Sequence, residues 1–131
     1  MISCSIMKTY FTIHQIADKI GLSVHTLRYY EKIELLTEVQ RDANGYRQYT
    51  EADMAWIHFL LRLRATGMPI REMQQFSHLR SRGDSTIRAR RALLEEHQEQ
   101  VMAQVKELHE HLLKIESKIE HYKRLEENPV E

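Results

Sequence analysis

From Asp84 to Asn128 the chain contains neither glycine nor proline, and within that stretch Leu94, Val101, Leu108, Ile115 and Tyr122 recur every seven residues. Val105, Leu112 and Ile119 each follow one of these by four, so apolar side chains alternate at spacings of four and three. That alternation predicts a coiled-coil seam on one long helix. Forty residues of helix would extend about 60 Å, since each adds roughly 1.5 Å. One apolar stripe of that length leaves too much hydrophobic surface in water unless a partner of equal length covers it. The chain offers no second long helix, so the simplest partner is the same helix of another copy, related by two-fold symmetry. A helix packed back on its own head is the competing explanation. Arg91 and Gln98 interrupt the seam at its N-terminal end.

The chain has 131 residues, of which 42% are hydrophobic and 29% charged, enough for one compact domain and an extension but not for two independent cores. The expected organisation is a globular domain over 8–80, a dimerisation helix over 85–126 and a tail over 127–131. Met7 would make a natural start just before the first element, so residues 1–7 read as a disordered arm or an upstream start. The formal net charge is zero, yet residues 1–82 carry +3 and residues 83–131 carry −3. The positive end is N-terminal, where an anionic partner would bind. No run approaches the length of a membrane span and no apolar secretory core follows the N-terminus, which leads to an expected cytoplasmic location without membrane contact. Cys4 is the only cysteine. It excludes an intramolecular disulfide and a thiolate cluster within one chain, and reads as an incidental thiol.

Thr12 with Gln15 forms a capping-box pattern, Ile13, Ile16, Ala17 and Ile20 recur at helical spacing, and Gly21 supplies a left-handed stop. A first helix is expected over about 12–20. Ser23 caps a second over about 24–32, with Val24 and Leu27 turned inward and His25, Arg28, Tyr29 and Lys32 outward. Between Leu36 and Tyr49 a short hairpin is expected, with Asn44 and Gly45 suited to positive φ. Thr50 and Asp53 start a third helix carrying Met54, Ile57, Leu60, Leu61 and Leu63 and ending near Gly67. Pro69 opens a fourth, to about His78. The fold class is mainly α: a winged helix-turn-helix followed by a long coiled-coil helix.

Two short helices around a tight turn, followed by an Arg- and Tyr-bearing hairpin, have the outline of a DNA-reading module. Arg28 supplies a fork for phosphate or guanine, Thr26 and Tyr29 supply hydroxyls for phosphate oxygens, and His25 and Lys32 flank them. In the wing, Arg41, Tyr46 and Arg47 could rest on the sugar-phosphate backbone, with Gly45 permitting close approach. A solvated helix face would explain such residues singly; their occurrence beside a capped helix and a basic hairpin favours DNA contact. Tyr30 and Tyr49 could equally pack between wing and helix, and Arg62 and Arg64 are weaker candidates for phosphate.

Thr-Leu-Arg-Tyr-Tyr-Glu at 26–31, Gly-Tyr-Arg-Gln-Tyr at 45–49 and Leu-Arg-Ala-Thr-Gly-Met-Pro-Ile-Arg-Glu-Met at 63–73 resemble, in order, the motifs of the MerR family of bacterial transcription regulators. With the terminal coiled coil, the resemblance covers nearly the whole chain. It implies a homodimer joined by an antiparallel coiled coil and bound to double-stranded DNA at a pseudo-palindromic operator inside an overlong promoter spacer. An effector would then make the dimer bend and untwist the DNA so that RNA polymerase meets both promoter elements. Correspondence assigns Thr26, Arg28, Tyr29, Tyr46 and Arg47 to DNA contact.

The metal-sensing branch of that family uses cysteines near the far end of the long helix, and none follows Asp84 here. The segment Asp53–Leu60 looks most like the aldehyde- and electrophile-responsive branch, whose thiol-reactive members carry a cysteine in the third helix; this chain has Leu61-Arg62-Leu63 there. No metal, no cofactor and an unidentified effector are expected. His109 and His111 stand two apart and diverge on a helix. Trp56, Phe59, Tyr10 and Phe76 could line an apolar pocket, though aromatic residues at helical spacing more often form core. Enzymatic activity is not expected, because no glycine-rich phosphate loop, His-Glu-x-x-His pattern or nucleophile turn is present. The alternative class is a coiled-coil adaptor whose small N-terminal domain binds another protein.

Overall fold

The computed structural model describes residues 9–37 and 39–129, so the expected N-terminal arm with Cys4 and the last two residues of the tail lie outside the described residues. The elements run α1 (Ile13–Ile20), α2 (Val24–Lys32), β1 (Gln40–Arg41), β2 (Arg47–Gln48), α3 (Glu51–Ala65), α4 (Ile70–Ser81), a 3-10 turn (Asp84–Thr86) and α5 (Ile87–Glu127). They divide into two compact units, one up to Leu93 and one from Leu94.

Capping chemistry starts each of the first three helices. Thr12 Oγ1 accepts from the Gln15 amide at 3.1 Å while Gln15 Oε1 accepts from the Thr12 amide at 2.8 Å, satisfying two donors at the start of α1. Gly21 ends α1 with φ +81°, donating to the Ala17 carbonyl. Ser23 Oγ accepts from the Thr26 amide at 3.0 Å, and Thr50 with Asp53 repeats the reciprocal box at α3. Arg62 and Arg64 occupy the last turn of α3, where cations favour the exposed carbonyls.

Ile16, Leu27, Leu35, Ile57, Leu60 and Met73 make the centre of the first unit, each at most 1% exposed. On α2 the inward pair is Leu27 and Tyr30, not Val24 and Leu27; Val24 is half-buried. The Tyr30 ring takes the inner position because its hydroxyl is satisfied there, accepting from Arg64 Nη1 on α3 at 2.8 Å. Trp56 Nε1 and Ser77 Oγ both donate to the Leu35 carbonyl, at 2.9 and 3.1 Å, and Gln74 Nε2 donates to that of Ile33 at 2.8 Å. These bonds from α3 and α4 hold the segment that leaves α2 and leads into the hairpin. Glu34 lies within it at φ +64°, its carboxylate 2.7 Å from His78 Nε2 on α4.

The hairpin pairs Gln40 with Gln48 and Arg41 with Arg47 in antiparallel register. Its turn is built differently from the expected pair of left-handed residues: Asp42 Oδ1 accepts from the amides of Asn44 and Tyr46 at 2.9 and 3.0 Å, and Gly45 alone has positive φ, +83°. An aspartate that accepts two loop amides shapes a longer loop, in which one left-handed residue suffices. Phe11, just before α1, exchanges both backbone hydrogen bonds with Tyr49 at 2.8 Å and ties the chain's entry to the hairpin.

α4 runs to Ser81, one turn beyond the expected end near His78. The Ser81–Ser85 boundary is closed by Thr86, whose hydroxyl reaches the Leu79 and Gly83 carbonyls at 2.6 and 2.8 Å and accepts from Arg90 Nε at 3.1 Å. In the second unit the helix continues without a break to Glu127. Along it Leu94 and Val101 are half-buried, whereas Val105, Leu108, Leu112, Ile115, Ile119 and Tyr122 are between 48% and 67% exposed.

Candidate nucleic-acid interface

The start of α1, the outer face of α2 and the hairpin enclose a cleft of about 400 Å³ lined by Thr12, Ile13, His14, Arg28, Arg41, Gly45, Tyr46 and Arg47. Three of those residues are guanidinium-bearing and none is acidic. Such walls attract an extended anion through charge and forked hydrogen bonding. Of the residues singled out from the sequence, Arg28, Arg41, Tyr46 and Arg47 are thus brought together, Tyr46 standing 70% exposed. His25, Tyr29 and Lys32 are also exposed on α2 but do not line the cleft. Thr26 is half-buried, its hydroxyl 2.9 Å from Ser23 Oγ, so capping already engages it. Thr12 and His14 were not singled out as site residues. The capping box at Thr12 was the available signal, because a capped helix start presents its first turn to whatever lies beyond it.

Glu31, in the last turn of α2, is the other residue that sequence reasoning passed over. Its Oε2 accepts from Arg47 Nε in a short ion pair, and its Oε1 lies 3.5 Å from Arg41 Nη2. Arg41 Nη1 also donates to the Gly45 carbonyl at 3.1 Å. Both wing arginines are therefore held against α2.

Tyr30 and Tyr49, which the sequence left between two roles, are core residues. Tyr49 is fully buried and its hydroxyl has no hydrogen-bond partner among the described residues. Burial first, and the Glu31 carboxylate second, push its pKa up to about 12. Arg64 is committed to the Tyr30 hydroxyl, and Arg62 is exposed. The aromatic group on α3 and α4 is core as well: Trp56 stacks on Phe76 at 5.4 Å, Phe59 lies 5.9 Å from Phe76, and the Arg80 guanidinium covers Trp56 at 4.6 Å. Tyr10 is 39% exposed and makes none of these ring contacts. Among the described residues no group of three or more His, Cys, Asp and Glu side chains could hold a metal ion, and no helix is long and apolar enough to cross a membrane.

A sequence model of the MerR HTH family regulatory proteins matches residues 11–79, from the bridge at Phe11 to the end region of α4. This chain belongs to the MerR family. A second model, for the MerR DNA-binding region, matches residues 54–110 and so covers most of α3, all of α4 and α5 as far as Glu110. The MerR-family chain is 37% identical over 114 residues to an uncharacterized HTH-type transcriptional regulator of Haemophilus influenzae, covering 87% of this chain and 84% of that one. Its fold is similar to the crystal structure of HiNmlR, a MerR family regulator lacking the sensor domain and bound to promoter DNA. The TM-score is 0.81 at 35% identity, over 92% of this chain and 95% of that one. A MerR family regulator from Listeria monocytogenes superposes with TM-score 0.82 at 29% identity, covering 86% of each chain. The mainly helical fold, the helix-turn-helix and the assignment to transcription regulation expected of this MerR-family protein are thereby established.

Proposed function

We propose that this MerR-family regulator is a homodimer that binds a pseudo-palindromic operator within a promoter spacer and controls transcription by bending and untwisting the DNA in response to an effector. The observation that carries the DNA-binding part is the cleft in which Arg28 of α2 faces Arg41, Tyr46 and Arg47 of the hairpin with no acidic side chain in its lining. In this reading α2 enters the major groove with His25, Thr26, Arg28, Tyr29 and Lys32, and the hairpin lies on the adjoining backbone as a wing. The promoter DNA held by the structurally similar HiNmlR supports it.

Dimerisation is supported by the exposed row on α5. Leu108, Leu112, Ile115 and Ile119 lie 67%, 48%, 56% and 49% open to solvent on one helix, which is costly in water and favourable against a second copy. Run antiparallel, two copies can set Leu108 against Leu112, Val105 against Ile115 and Val101 against Ile119, so that every layer between Val101 and Ile119 is apolar. Two DNA-binding units joined in this way suit an operator of two half-sites. Bending 20–30 base pairs costs about 1–6 kcal/mol, which backbone contacts of two wings can offset, leaving RNA polymerase to read the altered promoter geometry.

The test is a gel shift and footprint of the purified chain on the DNA upstream of its own gene. A protected palindrome between the two promoter elements, with affinity that falls steeply as salt rises, is the expected result. Arg28→Ala should weaken that binding by about ten- to a hundred-fold if its fork reads a base edge, the range that one bidentate contact supplies. Duplex affinity insensitive to both salt and this substitution would overturn the reading and favour an adaptor.

A further inference from the structure

We infer that Glu31 is a positioning residue for operator recognition: its carboxylate fixes both wing arginines relative to the recognition helix and thereby raises preference for the operator at some cost in affinity for other duplexes. The inference rests on the DNA-binding reading above. Arg41 and Arg47 are direct partners in the hairpin ladder, and like charges placed opposite each other destabilise such a pair. One carboxylate receives them both, Arg47 through Nε and Arg41 through Nη2 at 3.5 Å. Glu31 follows Arg28 by three residues on α2, a spacing that puts the two on neighbouring positions of the helix surface. Its side chain is 24% exposed and that of Arg47 25%, so the pair is partly withdrawn from solvent, while Arg41 keeps 49% exposure.

A carboxylate beside a surface that receives phosphates repels them, so by charge alone Glu31 lowers affinity for every duplex. What it contributes is geometry. Arg41 is held at both ends, by Glu31 and by the Gly45 carbonyl at 3.1 Å, and Arg47 is held through the nitrogen nearest its stem, which leaves its terminal nitrogens able to reach outward. The wing's cations are then spaced from Arg28 before DNA arrives, and a ligand whose phosphates match that spacing incurs little ordering cost. Loose arginines would instead follow any phosphate row. Specificity is a difference of affinities, and a fixed wing raises it by penalising the mismatched duplex.

The experiment compares wild type, Glu31→Gln and Glu31→Asp for binding to the footprinted operator and to a scrambled duplex of equal length, with thermal unfolding recorded for each. For Glu31→Gln the expected result is operator affinity reduced at least ten-fold while affinity for the scrambled duplex is unchanged or higher. Glu31→Asp keeps the charge one methylene short. It should lose operator preference as well, without the rise on scrambled DNA, and it carries the test if Glu31→Gln fails to fold. Equal gains on both duplexes would make Glu31 only an adverse charge, and equal losses only a structural prop; either overturns the inference. A wild-type protein that binds no duplex in a salt-dependent manner would instead overturn the DNA-binding reading itself, a result separable from these.

Discussion

The unit up to Leu93 and the helix from Leu94 obey the same rule of amphipathic patterning and reach opposite outcomes. In the first, the apolar positions of α1, α2, α3 and α4 meet one another, and Ile16, Leu27, Ile57 and Leu60 are fully buried. In the second, the apolar positions of α5 are as regular, and Leu108 stands 67% exposed. Patterning specifies a face but not its occupant. Four short helices with turns between them bring their faces together within one chain, whereas a single helix that never reverses cannot cover itself. The first unit should therefore gain its stability from intramolecular packing, and the second from association, with a stability that depends on concentration.

Substitutions on the two sides should separate these sources. The largest effect is expected for Leu108→Glu, which buries a carboxylate twice in the proposed dimer: the dissociation constant should rise at least a thousand-fold, about 4 kcal/mol or more. Sedimentation should then show a monomer whose first unit remains folded, and an unchanged mass would remove Leu108 from the seam. Next in size, Leu60→Ala should cost the first unit about 2–5 kcal/mol through a cavity, lowering its melting temperature. The self-association of α5 should not change, and a parallel loss of dimer would mean the two units are not independent in stability.

A smaller effect is expected for Thr50→Ala, which removes half of the box that starts α3 and should cost about 1 kcal/mol in chemical denaturation. The smallest at neutral pH is Tyr49→Phe, because the buried hydroxyl it removes has no hydrogen-bond partner among the described residues. In alkali it should matter more. The folded chain holds the Tyr49 proton to a pKa of about 12 while the unfolded chain releases it near the ordinary value of 10, so stability falls as pH rises through that window. Urea titrations at neutral and alkaline pH should show a shallower alkaline loss in Tyr49→Phe than in wild type; identical losses would contradict the burial of this phenol.

Much of the fold was legible because its signals are local. Thr12 with Gln15, Ser23, and Thr50 with Asp53 announce helix starts through hydrogen bonds that span only three residues. The seven-residue repeat announced α5 because a helix brings residues three and four apart onto one side whatever lies nearby. The order of the motifs around Arg28, Gly45 and Met68 carried the family. Other features were not legible in this way. Asn44 has the composition of a left-handed residue, but the side chain of Asp42 decided the turn. Val24 and Tyr30 are both fit to be buried, and Arg64, thirty-four residues along the chain, decided for Tyr30.

The candidate site divides along the same line. Sequence alone determined which residues could attract an anion, since Arg28, Arg41 and Arg47 carry charge in any conformation, and it determined that α5 would have an apolar face. Packing between elements places Thr12 and His14 in one cleft with those arginines, joins Phe11 to the hairpin, and lets Glu31 hold Arg41 and Arg47 from sixteen residues or fewer away in the chain. Residue type and local spacing fix charge, capping and helical period. Which side chains meet across a turn or between elements depends on chain reversals and on the packing that orders them, and neither is a property of any short stretch of sequence.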